Sequence, residues 1–269
     1  MEPKLLGLIA GNGKFPLLFS YKAKQNHYKV IAAAIKGDTS FFLRFSVDKL
    51  AWFRAGELKR LFSYFRENNV KKVIMAGQVN PNNLFDGKIA LDDEFRSVFK
   101  AIENRKADTI FSAVADKFKE QDIELIDSTF LLKDMLSDKG TITKRAPTLS
   151  ELADIEFGKN IAKTMGGIDS GQTVVVKDKA IVAVEAMEGT DRTILRGGLI
   201  AKSGAVVVKM SKPKQDLRFD VPVVGPRTIK TMIKAKASCL AIEEGKTIVI
   251  DKPQCLKLAN KSGIVIVGA

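Results

Sequence analysis

The first half of the chain alternates short, continuously apolar runs with segments whose apolar residues recur at helical spacing. The apolar runs predict buried strands over residues 5–10, 28–35, 72–76 and 123–126. The periodic segments predict helices over residues 17–25, 57–68 and 108–121. Because strands that are covered on both faces read as unbroken apolar runs, we predict an α/β fold here, an N-terminal Rossmann-like domain with an open parallel sheet.

The second half carries a different pattern. Residues 136–149 are polar and have no apolar period, which predicts a linker. A helix is predicted over residues 150–165 with Ser150 as its N-cap, followed by a hairpin over residues 173–186. Further on, the pattern predicts strands over 205–209, 239–242, 247–250 and 264–267, and a helix over 226–236. We therefore expect domain 1–135, linker 136–149, and a C-terminal mixed α+β domain, 150–269, that carries the catalytic residues.

Composition narrows the class of protein. The 269 residues are 45% apolar, and no run approaches the roughly 20 apolar residues that a membrane span needs. The apolar run at the start is too short for a secretory signal, and Cys239 and Cys255, the two cysteines, both lie in apolar surroundings. A cytoplasmic location is the prediction.

The charge balance points to an anionic partner. Lys and Arg number 44 against 31 Asp and Glu, a net charge of +13. Nucleic acid, a phosphorylated metabolite or an acidic lipid surface would each suit such a chain, and so would a generally basic surface without a special partner. The basic residues are spread along the chain without zinc-finger spacing or an RNA-binding aromatic motif, so nucleic acid is not the expected partner.

A glycine turn, Gly11-Asn12-Gly13, connects the first predicted strand to the first helix. This arrangement can aim backbone N–H groups and a helix N-terminus at a phosphate, although a plain tight turn has the same sequence. A P-loop is excluded because Leu8 and Phe15 stand where its first glycine and its hydroxyl residue belong. The dinucleotide motif is not met either, since Pro16 replaces its third glycine and only Asp38 could serve as its acid.

A second turn, Gly77-Gln78-Val79-Asn80-Pro81, follows another predicted strand. It would border the same sheet edge and help to hold a nucleotide, or act as an ordinary loop cap.

Carboxylates concentrate in three tracts of the second half, residues 167–172, 185–191 and 212–222. Glu188 and Asp191 lie near a predicted helix start, where oxygen ligands for a hard cation such as Mg²⁺ are often found. If the third tract is extended, Asp216, Arg218 and Asp220 share one face and could bind phosphate, hold a metal or activate water. Helix caps and surface ion pairs are the alternative interpretation of all three tracts.

The chain contains one histidine, His27. Histidine-based metal centres, Ser-His-Asp triads and Cys-His dyads are therefore excluded. His27 precedes the second predicted strand and is interpreted as a turn residue. Any hydrolase built on this chain must work with carboxylates, Mg²⁺ and basic side chains.

Five strings in order along the chain are similar to the LpxI-type UDP-2,3-diacylglucosamine pyrophosphatase family. They are LLGLIAGNGKFPLL, IMAGQV, GIDSGQTVVV, AVEAMEGTD and KPKQDLRFDVPVVGPRTI. The resemblance runs from about Lys4 to Ala269. One departure is visible, because the family's usual Asp-Ile-Gly-Gln reads Asp169-Ser170-Gly171-Gln172 here. A Ser in place of Ile is expected to alter packing rather than chemistry.

The resemblance implies a two-domain, Mg²⁺-dependent hydrolase of lipid A biosynthesis. Such an enzyme cleaves the glycolipid UDP-2,3-diacylglucosamine, held between the domains, to UMP and 2,3-diacylglucosamine 1-phosphate (lipid X). The family's essential aspartate, which precedes x-Pro-x-x-Gly, matches Asp220. We expect Asp220, Asp191 and Glu188 to be the catalytic and metal-binding residues, with Arg218, Lys212 and Lys214 neutralising charge. The expected substrate-binding residues are Gly11, Asn12, Gly13, Gly77, Gln78, Gln172, Thr190, Gln215 and Arg218.

Three alternatives stay open: a non-catalytic nucleotide- or anion-binding regulator, an NAD-dependent reductase, and a nucleic-acid binder. Peripheral contact with the anionic cytoplasmic face of the inner membrane would suit the positive charge, and a homodimer is compatible with the sequence. The segment Phe41-Phe42-Leu43-Arg44-Phe45 combines aromatics with a cation and could contact lipid. A packed core or a buried lid is the favoured interpretation of that segment.

Overall fold

The computed structural model describes residues 4–79, 90–104 and 107–269. The chain divides into two compact units. The first comprises Met1–Leu132 together with Asp216–Asp220, and the second comprises Lys133–Gln215 together with Val221–Ala269. A short segment from the second half of the sequence therefore belongs to the first unit.

The first unit is built on a five-stranded parallel sheet with strand order β3-β2-β1-β4-β5. Its strands are β1 (Lys4–Ala10), β2 (Tyr28–Ile35), β3 (Lys49–Phe53), β4 (Lys72–Ala76) and β5 (Glu124–Leu125). Its helices are α1 (Phe15–Gln25), α2 (Leu58–Glu67), α3 (Asp93–Ala101) and α4 (Ala107–Glu120), with a 3₁₀ helix at Phe41–Phe45. The predicted Rossmann-like parallel sheet is confirmed, and β3 and α3 are elements that the pattern did not predict.

Helix α2 shows why the apolar period located the helices correctly. Leu58, Leu61, Phe62 and Phe65 are all buried on its inner face. The ring of Phe62 meets Phe118 of α4 edge-on, with 4.7 Å between ring centroids. Such edge-to-face pairs add to the stabilisation from burial alone.

The second unit contains a six-stranded mixed sheet with strand order β6-β13-β11-β9-β7-β8 and a parallel pair, β10-β12. Strands β13, β11 and β9 are parallel, whereas β6 and the β7-β8 hairpin are antiparallel to their neighbours. The strands are β6 (Gly140–Thr141), β7 (Thr173–Lys177), β8 (Ala180–Val184), β9 (Val206–Lys209), β10 (Val223–Val224), β11 (Cys239–Ile242), β12 (Ile248–Val249) and β13 (Val265–Gly268). The helices are α5 (Leu149–Gly167), α6 (Thr190–Ala201), α7 (Pro226–Lys234) and α8 (Lys252–Lys261), with a 3₁₀ turn at Lys133–Met135.

The β7-β8 hairpin was predicted and has a clear local cause. Asp178 and Lys179, its two central residues, have φ values of 49° and 58°. Two positive φ values are typical of the turn whose twist matches that of the flanking strands.

Residues 136–149, predicted as a linker, lie in the second unit. Within this stretch Thr141 pairs with Val267 and Gly140 with Gly268, so the segment forms an edge strand of the sheet. The predicted N-cap of the following helix is also wrong. Thr148 caps α5 instead of Ser150, because its hydroxyl accepts from the Glu151 N–H while the Glu151 carboxylate accepts from the Thr148 N–H.

Within the described ranges, no helix is both long enough and apolar enough to cross a bilayer.

Candidate functional site

The two glycine turns of the first unit meet at the carboxyl ends of the neighbouring strands β1 and β4. The Asn12 N–H donates to the Gln78 carbonyl at 2.7 Å, and the Gln78 N–H donates back to the Asn12 carbonyl at 3.3 Å. The Gly11 N–H donates to the Ala76 carbonyl at 2.8 Å. In a parallel sheet with this strand order, the order in which the strands are added reverses between β1 and β4, and ligands bind in the crevice at such a point. The structure thus brings Gly11, Asn12, Gly77 and Gln78 together.

Only glycine fits where the turns cross. A side chain on Gly77 would place its Cβ 2.3 Å from the Asn12 carbonyl oxygen, and Gly77 also has a φ of 86°. A Cβ on Gly11 would lie 2.7 Å from the Gln78 carbonyl oxygen. The Gly11 and Asn12 N–H groups already donate to the Ala76 and Gln78 carbonyls. Backbone N–H groups of this turn that could donate to a phosphate must therefore come from Gly13 onward. The roles of Gly11, Asn12 and Gly13 toward a substrate stay predictions.

Helix α1 begins directly after the turn. Gly13 has a φ of 91°, and Lys14 is the N-cap. No side chain within the described ranges caps this helix. Pro16 is its second residue, where a missing N–H costs no helical hydrogen bond. Asn80 and Pro81, named with the second turn from the sequence, lie outside the described residues.

The segment 216–220, termed the 216–220 turn below, is fastened to the first unit by Ser128. The Ser128 N–H donates to the Leu217 carbonyl at 2.9 Å. The buried Ser128 hydroxyl lies 2.8 Å from the Arg218 carbonyl oxygen and 2.6 Å from that of Met75 in β4. Because Met75 is the penultimate residue of β4, the 216–220 turn lies at the edge of the sheet that carries Gly77.

The extended geometry considered for residues 216–220 is wrong. The N–H groups of Phe219 and Asp220 both donate to the Asp216 carbonyl, at 3.3 and 3.0 Å, which closes a turn. Arg218 forms an ion pair with Asp216, with Nη2 2.6 Å from Oδ2. The Arg218 hydrogen bonds hold the pKa of Asp216 below its usual range. The turn therefore pairs Arg218 with Asp216, while Asp220 is half-buried at its end.

Glu188 and Asp191 lie in the second unit, around the start of α6, and both are paired with arginines. Arg196 Nη2 lies 2.6 Å from Glu188 Oε1, and Arg227 Nε lies 2.6 Å from Asp191 Oδ2. Burial opposes ionisation of Glu188, but its hydrogen bonds, that of Arg196 first among them, lower its pKa overall. The structure therefore shows ion pairs in the tract 185–191, which was the alternative interpretation of these carboxylates.

The carboxylates of the site bear on whether the chain could hold Mg²⁺. The parts of the chain that the structure describes contain no group of three or more His, Cys, Asp or Glu side chains that could hold a metal ion. Because Mg²⁺ often takes one or two protein carboxylates and completes its shell with water and substrate phosphates, Asp220 fits as a single ligand.

Thr190, predicted from the sequence as a substrate-binding residue, lies in a buried polar network at the carboxyl end of β9 whose other two members, Lys209 and Glu185, were not predicted as site residues. Lys209, only 7% exposed, donates from Nζ to Thr190 Oγ1 at 2.8 Å. The Thr190 hydroxyl in turn lies 2.9 Å from Oε1 of the buried Glu185. Glu185 Oε2 has no hydrogen-bond partner among the described residues. The signal was present in the sequence, because a lysine and a glutamate each end an otherwise apolar strand run.

Other predicted side chains of the second unit hold the local backbone. Lys212 Nζ forms a close ion pair with Asp169, and both side chains are largely buried. Gln215 Oε1 accepts from the Lys212 N–H at 2.7 Å. Lys214, which lies between Lys212 and Gln215 in the same loop, is exposed. Gln172 is buried just before β7. The structure therefore shows what Lys212 and Gln215 contact, while their roles toward a substrate stay predictions.

Comparison with known proteins covers nearly the whole chain. Residues 5–135 match the model of the LpxI N-terminal domain, and residues 138–267 match that of the LpxI C-terminal domain. The UDP-2,3-diacylglucosamine pyrophosphatase LpxI of Caulobacter vibrioides is 27% identical over 276 residues, which cover 98% of this chain and 96% of that protein.

Likeness to solved structures is weaker. N5-carboxyaminoimidazole ribonucleotide synthetase in complex with ADP is matched at 12% identity and a TM-score of 0.29, over 65% of this chain and 34% of that one. The biotin carboxylase domain of the Hydrogenobacter thermophilus 2-oxoglutarate carboxylase is matched at 10% identity and a TM-score of 0.30, over 75% of this chain and 42% of that one. The chain thus spans less than half the length of either.

The order of the sequence strings, the two domain matches and the full-length relative agree, and the chain belongs to the LpxI family.

Proposed function

We propose that this protein hydrolyses the pyrophosphate bond of UDP-2,3-diacylglucosamine to UMP and 2,3-diacylglucosamine 1-phosphate, a step of lipid A biosynthesis. The observation that carries the proposal is the end-to-end similarity to the Caulobacter enzyme of that name. The models of the family's N-terminal and C-terminal domains both match this chain, over residues 5–135 and 138–267.

The edge of the first unit's sheet supports a nucleotide diphosphate as the ligand. Gly13 and the start of α1 follow β1, and Gln78 follows β4 at the neighbouring position. N–H groups at a helix start stabilise phosphate oxygens, and Gly13 leaves open space in front of that helix start, since a Cβ on it would meet nothing within 4 Å.

Asp220 is the proposed catalytic carboxylate. It lies on the 216–220 turn, which Ser128 fastens at the carboxyl end of β4. A carboxylate there would orient or deprotonate the attacking water. The water oxygen forms a bond to one phosphorus, the bridging oxygen leaves with the other, and both products are phosphate monoesters.

Mg²⁺ is proposed to accompany the substrate diphosphate, with Asp220 as its protein ligand; when bound, it would neutralise charge that develops on the phosphates. Chelation with EDTA should then abolish turnover, and added Mg²⁺ should restore it.

The direct test is incubation of the purified protein with UDP-2,3-diacylglucosamine and Mg²⁺, followed by assay for UMP. UMP and diacylglucosamine 1-phosphate should appear in equal amounts, and UDP-N-acetylglucosamine, which lacks the two fatty acyl chains, should react far more slowly. Tight binding of the substrate without any UMP would favour the alternative, a non-catalytic nucleotide-binding regulator.

A further inference from the structure

The 3₁₀ helix Phe41–Phe45 places three aromatic rings in solvent. Phe41, Phe42 and Phe45 are 56%, 69% and 71% exposed, whereas Leu43 is fully buried. The expectation that this segment packs in a core or under a lid is therefore wrong. A five-residue helix can bury only one face, and that face is occupied by Leu43 alone.

The turn that carries these rings is held firmly. Ser40 Oγ accepts from the Phe42 N–H at 3.3 Å, and the Leu43 N–H donates to the Ser40 carbonyl at 3.1 Å. The Ser46 N–H closes the other end on the Leu43 carbonyl at 2.9 Å. The rings are thus presented on an ordered turn anchored by Leu43.

Arg44 lies among the rings. Its guanidinium carbon is 4.9 Å from the centroid of the Phe41 ring and 5.5 Å from that of Phe45. The chain from Lys14 to Lys49 carries seven Lys or Arg and two Asp, so this part of the first unit is strongly basic. Phenylalanine side chains beside Lys or Arg are typical of segments that lie in the membrane interface, with the rings toward the acyl chains and the cations toward the headgroups.

We propose that Phe41, Phe42, Arg44 and Phe45, termed the aromatic patch, dock on the surface of an anionic lipid bilayer. The three rings enter the region between headgroups and acyl chains, and Arg44 contacts lipid phosphates, while the other basic residues between Lys14 and Lys49 add attraction to the anionic surface. A bilayer is favoured over a protein partner because the rings share their surface with a cation and the local charge is positive. An anionic surface is the complement of both features.

The position of the patch links it to the candidate site. Thr39, two residues before Phe41, donates from Oγ1 to the Ala10 carbonyl at the end of β1 and accepts from the Ile35 N–H at the end of β2. The patch therefore begins at the sheet edge where the Gly11-Asn12-Gly13 turn begins. Docking would bring that edge to the membrane in which a diacylated substrate resides; this consequence rests on the proposed function, whereas docking itself does not.

Flotation with vesicles tests the inference. The full-length protein should float with vesicles of phosphatidylglycerol and phosphatidylethanolamine, bind far less to vesicles of phosphatidylcholine, and dissociate in high salt. F41S/F42S/F45S should lower the partition coefficient about tenfold or more, and R44Q should lower it by a smaller factor. The matched control is L149S/L199S/I200S, which removes three exposed apolar side chains of the second unit and should bind like wild type.

A second readout covers the case in which the triple variant folds poorly. Trp52 is the single tryptophan, so F42W in a W52F background reports on the patch alone. Its emission should shift to the blue with anionic vesicles and be quenched by brominated lipid chains. Unchanged emission, or equal flotation of wild type and the triple variant, would overturn the inference. Concentration-dependent self-association that the triple variant abolishes would also overturn it, in favour of a second copy of this chain.

Because flotation and emission need no substrate, a protein that docks without producing UMP would refute the proposed function alone.

Discussion

Gly77 is the residue on which the crossing of the two glycine turns depends. Gly77→Ala should lower the free energy of unfolding by about 2–4 kcal/mol, because its Cβ would lie 2.3 Å from a backbone oxygen and its φ is 86°. Urea titration measures this change. Nucleotide binding should weaken with it.

Gly37 offers a matched control for that substitution. It has nearly the same φ, 87°, but a Cβ there would meet nothing within 4 Å. Gly37→Ala should therefore cost only about 1 kcal/mol. Equal losses for the two variants would show that the backbone contact between the turns is not what requires glycine at position 77.

Lys209 is the buried cation that is linked to Glu185 through the Thr190 hydroxyl. Lys209→Met should destabilise the protein by about 1–3 kcal/mol, because the buried Glu185 and Thr190 would lose the cation that faces them. Adding Glu185→Gln to this variant should recover part of the loss. Strictly additive losses in this double-mutant cycle would refute the coupling of Lys209 with Glu185 through Thr190.

At the scale of elements, the Glu151 carboxylate helps to fix the N-terminus of helix α5. Burial opposes ionisation of Glu151, but the hydrogen bonds from Arg145 and from the Thr148 N–H outweigh it and hold its pKa at about 2. A carboxyl group whose pKa is lowered in the folded state adds stability above its unfolded-state pKa. That stability is lost as pH falls toward the folded-state pKa.

Glu151→Gln should therefore be about 1–3 kcal/mol less stable than wild type at pH 7, since it loses the Arg145 ion pair but keeps a capping side chain. The difference should shrink as the pH falls from about 4.5 toward about 2. Urea unfolding at a series of pH values measures it. Glu156→Gln, at an exposed ion pair with Lys159, is the control and should have little effect. A difference that stays constant with pH would contradict this assignment.

The sequence was sufficient for most elements, including the edge strands β5 and β8, but it did not predict the edge strands β3 and β6. The last six residues of Tyr28–Ile35 are all buried, so their apolar pattern is unbroken and predicts the strand directly. Lys49–Phe53 lies at the sheet edge and is half exposed, and Gly140–Thr141 has only two residues. Edge strands of this kind are fixed by hydrogen bonds to a neighbour, which a local pattern does not reveal.

At the scale of the whole molecule, the 216–220 turn is the feature that local sequence could least predict. Asp220 was expected in the C-terminal domain, yet residues 216–220 belong to the first unit. The cause is the contact of Ser128 with Arg218 and Met75, together with the stacking of Phe219 on Phe111 at 5.4 Å. Ser128 is 90 residues from Arg218 and 53 residues from Met75 in the chain, and no local periodicity encodes contacts over such separations.

Phe219 is expected to hold the 216–220 turn in place. Phe219→Ala should lower kcat about tenfold and the free energy of unfolding by about 1–3 kcal/mol, because it removes the ring that packs on Phe111. Phe111→Ala removes the other ring without altering the turn's sequence, and it should lower kcat by a similar factor. Loss of stability with unchanged kcat in both variants would show that the stack is structural only.

The central claim is that Asp220 carries out the chemistry of diphosphate hydrolysis. The most direct measurement compares Asp220→Asn with wild type for both turnover and substrate affinity, by UMP release and by equilibrium binding of UDP-2,3-diacylglucosamine. We predict that kcat falls by a factor of about a thousand or more while the dissociation constant changes by less than about tenfold. Turnover at the wild-type rate in Asp220→Asn would contradict the account.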